Sequence, residues 1–214
     1  MIIAFGDSTT APREGAEIFT VQLARRFQDT QLSFINRGLP GDTTTAARAR
    51  FDEDVRRESP EVLILQFGIN DSAVDVWKTP PETASRVSLD DYEGNLRFFI
   101  EEMLAMGKEV ILMTPNQLRW TLETRALYGR SPYDVSDDSG FTRILESYAG
   151  VVRRLAREYT IPLVDVFALY DLWEKEASRG CSELMLDGMH PNTLGHTLVA
   201  DAIETILRGR DKSL

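Results

Sequence analysis

The chain alternates short apolar runs with longer stretches whose apolar residues recur at helical spacing. Ile2-Ile3-Ala4-Phe5 is the first run, closed by Gly6-Asp7-Ser8. Ile18, Val21, Leu23 and Phe27 then follow a helical period, and Leu32–Asn36 reads as a second strand. Thr43–Arg57 is charged, rich in Ala and Arg, and predicts a helix. Val62–Phe67 is apolar at nearly every position, the mark of a strand covered on both faces, as parallel strands are. Next come a helix over Leu89–Met106 stopped by Gly107 and a strand over Val110–Met113 halted by Pro115. A helical stripe follows through Phe141, Leu145, Tyr148, Val152 and Leu155. A strand over Leu163–Val166 and a final helix from Asn192 to Leu207 complete the pattern.

Strand and helix alternate throughout, so the pattern predicts an α/β fold: a parallel sheet with helices on both faces, joined by right-handed crossovers. In such sheets, sites form beyond the carboxyl ends of the strands. No internal repeat, low-complexity tract or linker interrupts the chain, which reads as one domain over residues 1–214. Two connections are long, Asp71–Ser88 and Pro115–Ser139. The second carries Asn116, Gln117, Arg119, Trp120, Tyr128 and Tyr133, a mixture suited to a polar ligand with ring faces. It reads equally as a binding loop or lid and as a surface loop pinned by its aromatics.

Composition narrows the function classes. Hydrophobic residues make up 43% and charged residues 27%, as in ordinary globular proteins. The formal net charge of -10 would repel a nucleic-acid backbone, so nucleic acid is not expected as a partner. It also disfavours an anionic membrane surface, and no apolar run reaches the roughly 20 residues that span a bilayer. Cys181 is the one cysteine, so no intrachain disulfide forms, and a lone cysteine is more often inert than nucleophilic. No signal-peptide pattern opens the chain. A cytoplasmic protein is the simplest expectation, with a secreted form whose signal peptide has been removed left open, and a homo-oligomer is compatible with the sequence.

Only two histidines are available as general bases. His196 lies inside the last helix and reads as structural or solvated. His190 lies on the loop Asp187-Gly188-Met189-His190-Pro191-Asn192, with a carboxylate three residues earlier. That spacing lets Asp187 accept the Nδ1 proton and leaves Nε2 facing a hydroxyl. Ser8 is the best hydroxyl, because a strand-end serine on a Gly-containing turn is presented at the carboxyl edge of the sheet. Taken alone, Gly6-Asp7-Ser8 is equally a turn or a cap. Two more strand ends change that reading: Asn36-Arg37-Gly38-Leu39-Pro40-Gly41-Asp42 and Gly68-Ile69-Asn70-Asp71 bring backbone N–H groups and an Asn amide to the same edge. Acyl transfer needs such donors for the oxyanion of its tetrahedral intermediate.

Gly6-Asp7-Ser8, Gly41, Gly68-Ile69-Asn70-Asp71 and Asp187-Gly188-Met189-His190 resemble, in order and across nearly the whole chain, the sequence blocks of the SGNH hydrolases, also called GDSL esterases and lipases. The resemblance implies a flavodoxin-like three-layer α/β/α fold, strand order 2-1-3-4-5, and a hydrolase without metal or organic cofactor. It implies Ser8 as nucleophile, His190 as base and then acid, and Asp187 as its orienting partner. It further implies an oxyanion hole from Ser8, Gly41 and Asn70, with Gly38 as the alternative to Gly41. Thr9 stands where the GDSL name has Leu, a departure shared by relatives acting on carbohydrate esters.

The segment Leu89–Pro115 is similar to members that remove acetyl groups from sugars, and no segment reads as a long hydrophobic acyl tunnel or an interfacial helix. The expectation is therefore a short-chain esterase acting on O-acetylated carbohydrate, with Asp7, Asn116, Trp120 and Tyr133 as candidate substrate contacts. Three alternatives stand beside it: a lysophospholipase- or thioesterase-type enzyme, a non-catalytic carbohydrate-binding member, and an FMN or regulatory domain. The non-catalytic reading predicts a missing catalytic group, and none is missing. The FMN reading lacks a phosphate-cradling loop after the first strand.

Overall fold

In the computed structural model of the protein, residues 1–175 and 180–210 are described. Five parallel strands form one sheet in the order β2-β1-β3-β4-β5. They are β1 (Ile2–Gly6), β2 (Phe34–Gly38), β3 (Val62–Gln66), β4 (Glu109–Met113) and β5 (Leu163–Val164). The helices are α1 (Phe19–Arg26), α2 (Thr44–Phe51), α3 (Ile69–Ser72), α4 (Leu89–Ala105), α5 (Leu122–Tyr128), α6 (Arg143–Glu158), α7 (Val166–Lys175) and α8 (Thr193–Arg210). The three-layer α/β/α architecture and strand order are those the sequence resemblance implies.

Strand side chains alternate between the two faces, and that alternation divides the core. Ile3, Phe5, Leu63, Leu65, Val110 and Leu112 pack beneath α2, α4 and α6 together with Phe51, Phe99 and Leu155. Ile2, Ala4, Val62, Ile64, Ile111 and Met113 pack with Phe19, Leu23, Val199 and Ile203 of α1 and α8. The central strands β1 and β3 are buried at every position, as their unbroken apolar runs predict.

Element ends differ from the sequence pattern for local reasons. β2 begins at Phe34 rather than Leu32, because Phe34 is the residue in register with Ile2 and the Ser33 carbonyl already accepts the Ile2 N–H. As an edge strand it tolerates Asn36 and Arg37. The predicted strand Leu163–Val166 stops at Val164: the Asp165 side chain accepts the Ala168 N–H and starts α7, a helix the apolar run had hidden. The expected loop Pro115–Ser139 contains α5, started by a reciprocal cap between Thr121 and Thr124. Thr43–Arg57 is helical, with a π-helical turn over Asp52–Arg56. The stop at Gly107 is as expected. Its φ is +69°, its N–H reaches the Leu104 carbonyl, and the Lys108 N–H reaches that of Met103, a Schellman closure. Among the described residues no helix is long and apolar enough to cross a membrane. Residues 211–214 of the expected domain lie outside those described.

Candidate active site

The carboxyl ends of β1, β2 and β3 meet at one edge of the sheet, and the turn after β1 carries Ser8. Gly6 is needed there for close approach. A Cβ on it would lie 2.3 Å from Thr10 Oγ1 and 2.5 Å from the Gln66 carbonyl. Asp7 shapes the turn: its Oδ1 accepts the Thr9 N–H (2.9 Å) and the Thr9 hydroxyl (2.8 Å), and its carbonyl accepts the N–H groups of Thr10 and Ala11. Burial raises the Asp7 carboxyl to about 6, against the opposing pull of the Thr9 bonds and the charge of His190.

Ser8 Oγ lies 2.9 Å from His190 Nε2, and His190 Nδ1 lies 2.7 Å from Asp187 Oδ2. The other Asp187 oxygen accepts the backbone N–H groups of Met189 (3.0 Å) and His190 (2.8 Å). Partial burial opposes ionisation of Asp187, but these bonds and the His190 charge hold its carboxyl well below the usual range. An ionised Asp187 fixes the tautomer with the proton on Nδ1 and leaves Nε2 able to take the Ser8 proton.

The loop bearing the dyad is clamped from the segment after β4. Asn116 Nδ2 donates to the Met189 carbonyl (2.9 Å), and the Arg119 N–H donates to that of Gly188 (2.8 Å). Gly188, at φ +81°, permits that approach: a Cβ would sit 2.5 Å from the Arg119 carbonyl.

Ser8, Arg13, Pro40, Gly41, Asn70 and His190 all line one cavity of about 280 Å³. Gly41 has φ +80°. Gly38 borders no part of the cavity. Its N–H is taken by Asn36 Oδ1 (2.9 Å), and a Cβ on it would lie 2.3 Å from the Ala11 nitrogen. Asn70 Oδ1 accepts from Arg86 Nη1 (3.1 Å), while Nδ2 is buried without a hydrogen-bond partner. A buried amide donor with no partner is a costly arrangement unless something else accepts from it. An oxyanion on a carbonyl attacked by Ser8 is such an acceptor.

The rest of the cavity lining is largely apolar, with Ile69, Leu118, Tyr128, Phe141, Leu145 and Met189 among others. No local pattern marks such a chamber, because its lining is gathered from the turn after β3, both ends of the α5 segment, α6 and the His190 loop.

Of the four expected substrate contacts, only Tyr133 lines this cavity, and its hydroxyl is occupied as acceptor of the Val74 N–H (2.8 Å). The other three are placed elsewhere. Asp7 is buried under its own turn, and Asn116 is wholly buried as the clamp just described. Trp120 stacks on Phe141 at 4.6 Å, donates to the Asp137 carbonyl, and faces a separate hollow with Arg125 and Cys181. The protein itself occupies Asp7 Oδ1, the Asn116 amide nitrogen and the Trp120 indole N–H, while Asn116 Oδ1 is buried without a partner; residue type alone could not reveal this.

Arg50 and Arg86 are supporting residues that no sequence signal marked, whereas Asp71 braces its turn as its place there suggests. Arg50, on α2, donates to Asp42 Oδ2 (2.8 Å) and to the carbonyls of Arg37 (3.0 Å) and Gly6 (3.2 Å), tying the Gly41 loop to the ends of β1 and β2. Asp71 Oδ1 accepts the Thr44 N–H (2.9 Å) and hydroxyl (2.5 Å), locking α3 to α2; burial raises this carboxyl to about 7 against those bonds. Arg86 carried no signal, being one arginine in a long connection. His196 is buried beside Phe19, and desolvation, with the charges of Arg13 and His190, lowers it to about 4. Cys181 is buried and its thiol is pushed up to about 12 by that burial, which makes it a poor nucleophile. Among the described residues no group of three or more His, Cys, Asp or Glu side chains is placed to hold a metal ion.

Comparison with known proteins gives the same picture. The profile of the GDSL-like Lipase/Acylhydrolase family matches residues 4–198. An uncharacterized lipoprotein of Bacillus subtilis, YqeF, is 31% identical over 77% of this chain and 69% of its own. The acetylxylan esterase of Geobacillus stearothermophilus is 27% identical over 82% of this chain and 72% of its own. The crystal structure of that esterase superposes with a TM-score of 0.73 at 26% identity, covering 94% of this chain and 91% of the other. Thioesterase 1/protease 1/lysophospholipase L1 of Escherichia coli is 24% identical over 94% of this chain and 79% of its own. With the family profile spanning nearly all of a fold that carries its sequence blocks on one sheet edge, the chain belongs to the GDSL-like lipase/acylhydrolase family and is a carboxylic ester hydrolase of that family.

Proposed function

We propose that the protein is a serine esterase that removes short acyl groups, chiefly O-acetyl groups on carbohydrate, through a covalent acyl-Ser8 intermediate. The observation that carries the mechanism is the unbroken chain Ser8 Oγ, His190, Asp187, with bonds of 2.9 and 2.7 Å, beside a cavity also lined by Asn70, whose Nδ2 is buried without a partner. Ser8 Oγ attacks the ester carbonyl as its proton passes to His190 Nε2. The carbonyl oxygen takes up negative charge and receives the N–H groups of Ser8 and Gly41 and the amide of Asn70. Collapse of the intermediate breaks the ester bond, and His190 returns the proton to the leaving alcohol. Water, deprotonated by His190, attacks the acyl-enzyme; the acid leaves and the Ser8 hydroxyl is restored.

The carbohydrate reading draws its support from the acetylxylan esterase relative and from the polar residues Ser8, Arg13, Asn70 and His190 in the cavity lining. A second reading is favoured by the apolar residues of the lining. The cavity, at about 280 Å³, approaches the roughly 300–1,000 Å³ of ligand-sized pockets and exceeds what an acetyl group fills. An acyl chain of several carbons would bury itself there, as the thioesterase/lysophospholipase relative would suggest. Acetate release from acetylated xylo-oligosaccharide, measured against fatty-acid release from lysophospholipid, separates the two. A kcat/KM for the oligosaccharide below that for the lysophospholipid would sink the carbohydrate reading.

A further inference from the structure

We propose that Arg86, held by Asp75, is a positioning residue that dictates which end of the Asn70 amide faces the reacting carbonyl. The inference rests on the reading of Asn70 as an oxyanion donor. A side-chain amide has one accepting and one donating end, and a half-turn about its last bond exchanges them. Only the donating end is useful to an oxyanion; the accepting end would repel it.

Arg86 removes the choice. A guanidinium carries donors and no acceptor, so the group 3.1 Å from its Nη1 has to be the Asn70 oxygen. The opposite orientation would set NH₂ against N–H at that distance and turn the oxygen toward the site. With Oδ1 so engaged, Nδ2 is the end left over: it is buried without a partner, on a residue that lines the cavity.

Arg86 is itself immobilised. Its Nε and Nη2 donate to the same Asp75 oxygen at 2.9 and 2.7 Å, and Lys78 Nζ pairs with the other at 3.0 Å. Asp75 is buried. The backbone is tied as well: the Arg86 N–H reaches the Ala73 carbonyl (2.9 Å), the Val87 N–H that of Asp71 (3.1 Å), and the Ser85 hydroxyl that of Ser72 (3.1 Å). The connection Asp71–Ser88 thus doubles back beside the Asn70 turn, and its end delivers the guanidinium. Neutralising Asp75 would need only the Nε/Nη2 side of Arg86; the Nη1 contact is the part that bears on catalysis.

The test is a double-mutant cycle on p-nitrophenyl acetate with Arg86→Gln, Asn70→Ala and the double variant. Gln both donates and accepts, so it lets the Asn70 amide turn over. Arg86→Gln should lower kcat by roughly 10- to 50-fold, a part of the ~10²–10³ typical of losing one oxyanion donor, with KM within about twofold. In the Asn70→Ala background the same substitution should change kcat by less than about twofold, because there is no amide left to orient. An equal loss in both backgrounds, or no loss in the wild-type background, overturns the proposal. Should Arg86→Gln not fold, Asp75→Asn loosens the same guanidinium, and its loss must likewise vanish without Asn70. Asn70→Ala with undiminished kcat would instead sink the donor role itself, so the two failures are distinguishable.

Discussion

At the scale of single residues, the site is a set of polar atoms whose partners leave one useful valence open. Asp187 has both oxygens engaged and holds His190; His190 has one nitrogen left for Ser8; Asn70 has one amide end left for substrate. Groups that act as a unit lose activity non-additively. Ser8→Ala and His190→Ala are each expected to lower kcat by about 10⁶, and the double variant by no more than either alone. Asp187→Asn should cost about 10⁴, because the amide stabilises neither the correct tautomer nor the imidazolium. Burst kinetics and active-site titration of the purified variants check these values, and a Ser8→Ala protein with full activity would remove the covalent mechanism.

Two buried carboxyls set a pH dependence of stability. Asp7 and Asp71 stand at about 6 and about 7 in the folded protein, raised mainly by burial from an ordinary 3.8. Below about pH 4 folded and unfolded chains hold these protons alike, and the stability they contribute is fully present. Between about 4 and 7 the unfolded chain releases protons that the folded chain keeps, so this contribution falls as pH rises and is gone above the folded values. Asp71→Asn keeps an oxygen for Thr44 but cannot ionise. Its urea midpoint should therefore decline less between pH 5 and pH 8 than that of the wild type. An equally steep decline would show that Asp71 does not carry the effect.

At the scale of elements, three turns have to be held at fixed spacing, and glycines with no room for a Cβ are the means. Gly6→Ala would drive a methyl into Thr10 Oγ1 and the Gln66 carbonyl, the second being backbone that cannot turn aside. A destabilisation of about 1–3 kcal/mol is expected by chemical denaturation, together with lost activity. Gly41→Ala differs: nothing lies within 4 Å of the new Cβ, and the strain comes from φ +80° alone. It should cost about 1 kcal/mol or somewhat more in stability while lowering kcat more than it raises KM. A variant with unchanged kcat would show that the strain at φ +80° does not displace the backbone N–H at this position.

At the scale of the whole molecule, the parallel sheet brings residue 8 within hydrogen-bonding reach of residue 190, and the crossings beyond β3 and β4 wall off an apolar chamber behind them. Ile144 lines that chamber and is only partly buried, so added bulk there is tolerable to the fold. Ile144→Trp is expected to leave hydrolysis of p-nitrophenyl acetate within about threefold and to reduce that of the hexanoate by tenfold or more. Equal effects on both esters would show that acyl chains do not enter the chamber.

Much of this protein was legible in its sequence because the relevant signals are local. Unbroken apolar runs mark strands covered on both faces, Gly107 marks a helix end, and Asp187 three residues before His190 marks an oriented imidazole. A strand-end Gly-Asp-Ser with two donor-bearing turns then points to acyl transfer. What residue type and spacing left open was the partner of each polar group. Asn116, Asp7 and Trp120 carry the chemistry of substrate contacts, yet the protein itself occupies the Asn116 amide nitrogen, Asp7 Oδ1 and the Trp120 indole N–H. Gly41 is the better match in sequence with Gly38 as its alternative, and packing places Gly38 against Ala11 and Gly41 at the cavity. Arg86 is an unremarked arginine until the chain doubles back and sets it on Asn70. Hydrophobic period and turn chemistry act within a few residues and are written in order along the chain. Hydrogen-bond satisfaction and cavity shape depend on which distant segments meet, and the tertiary structure alone decides that.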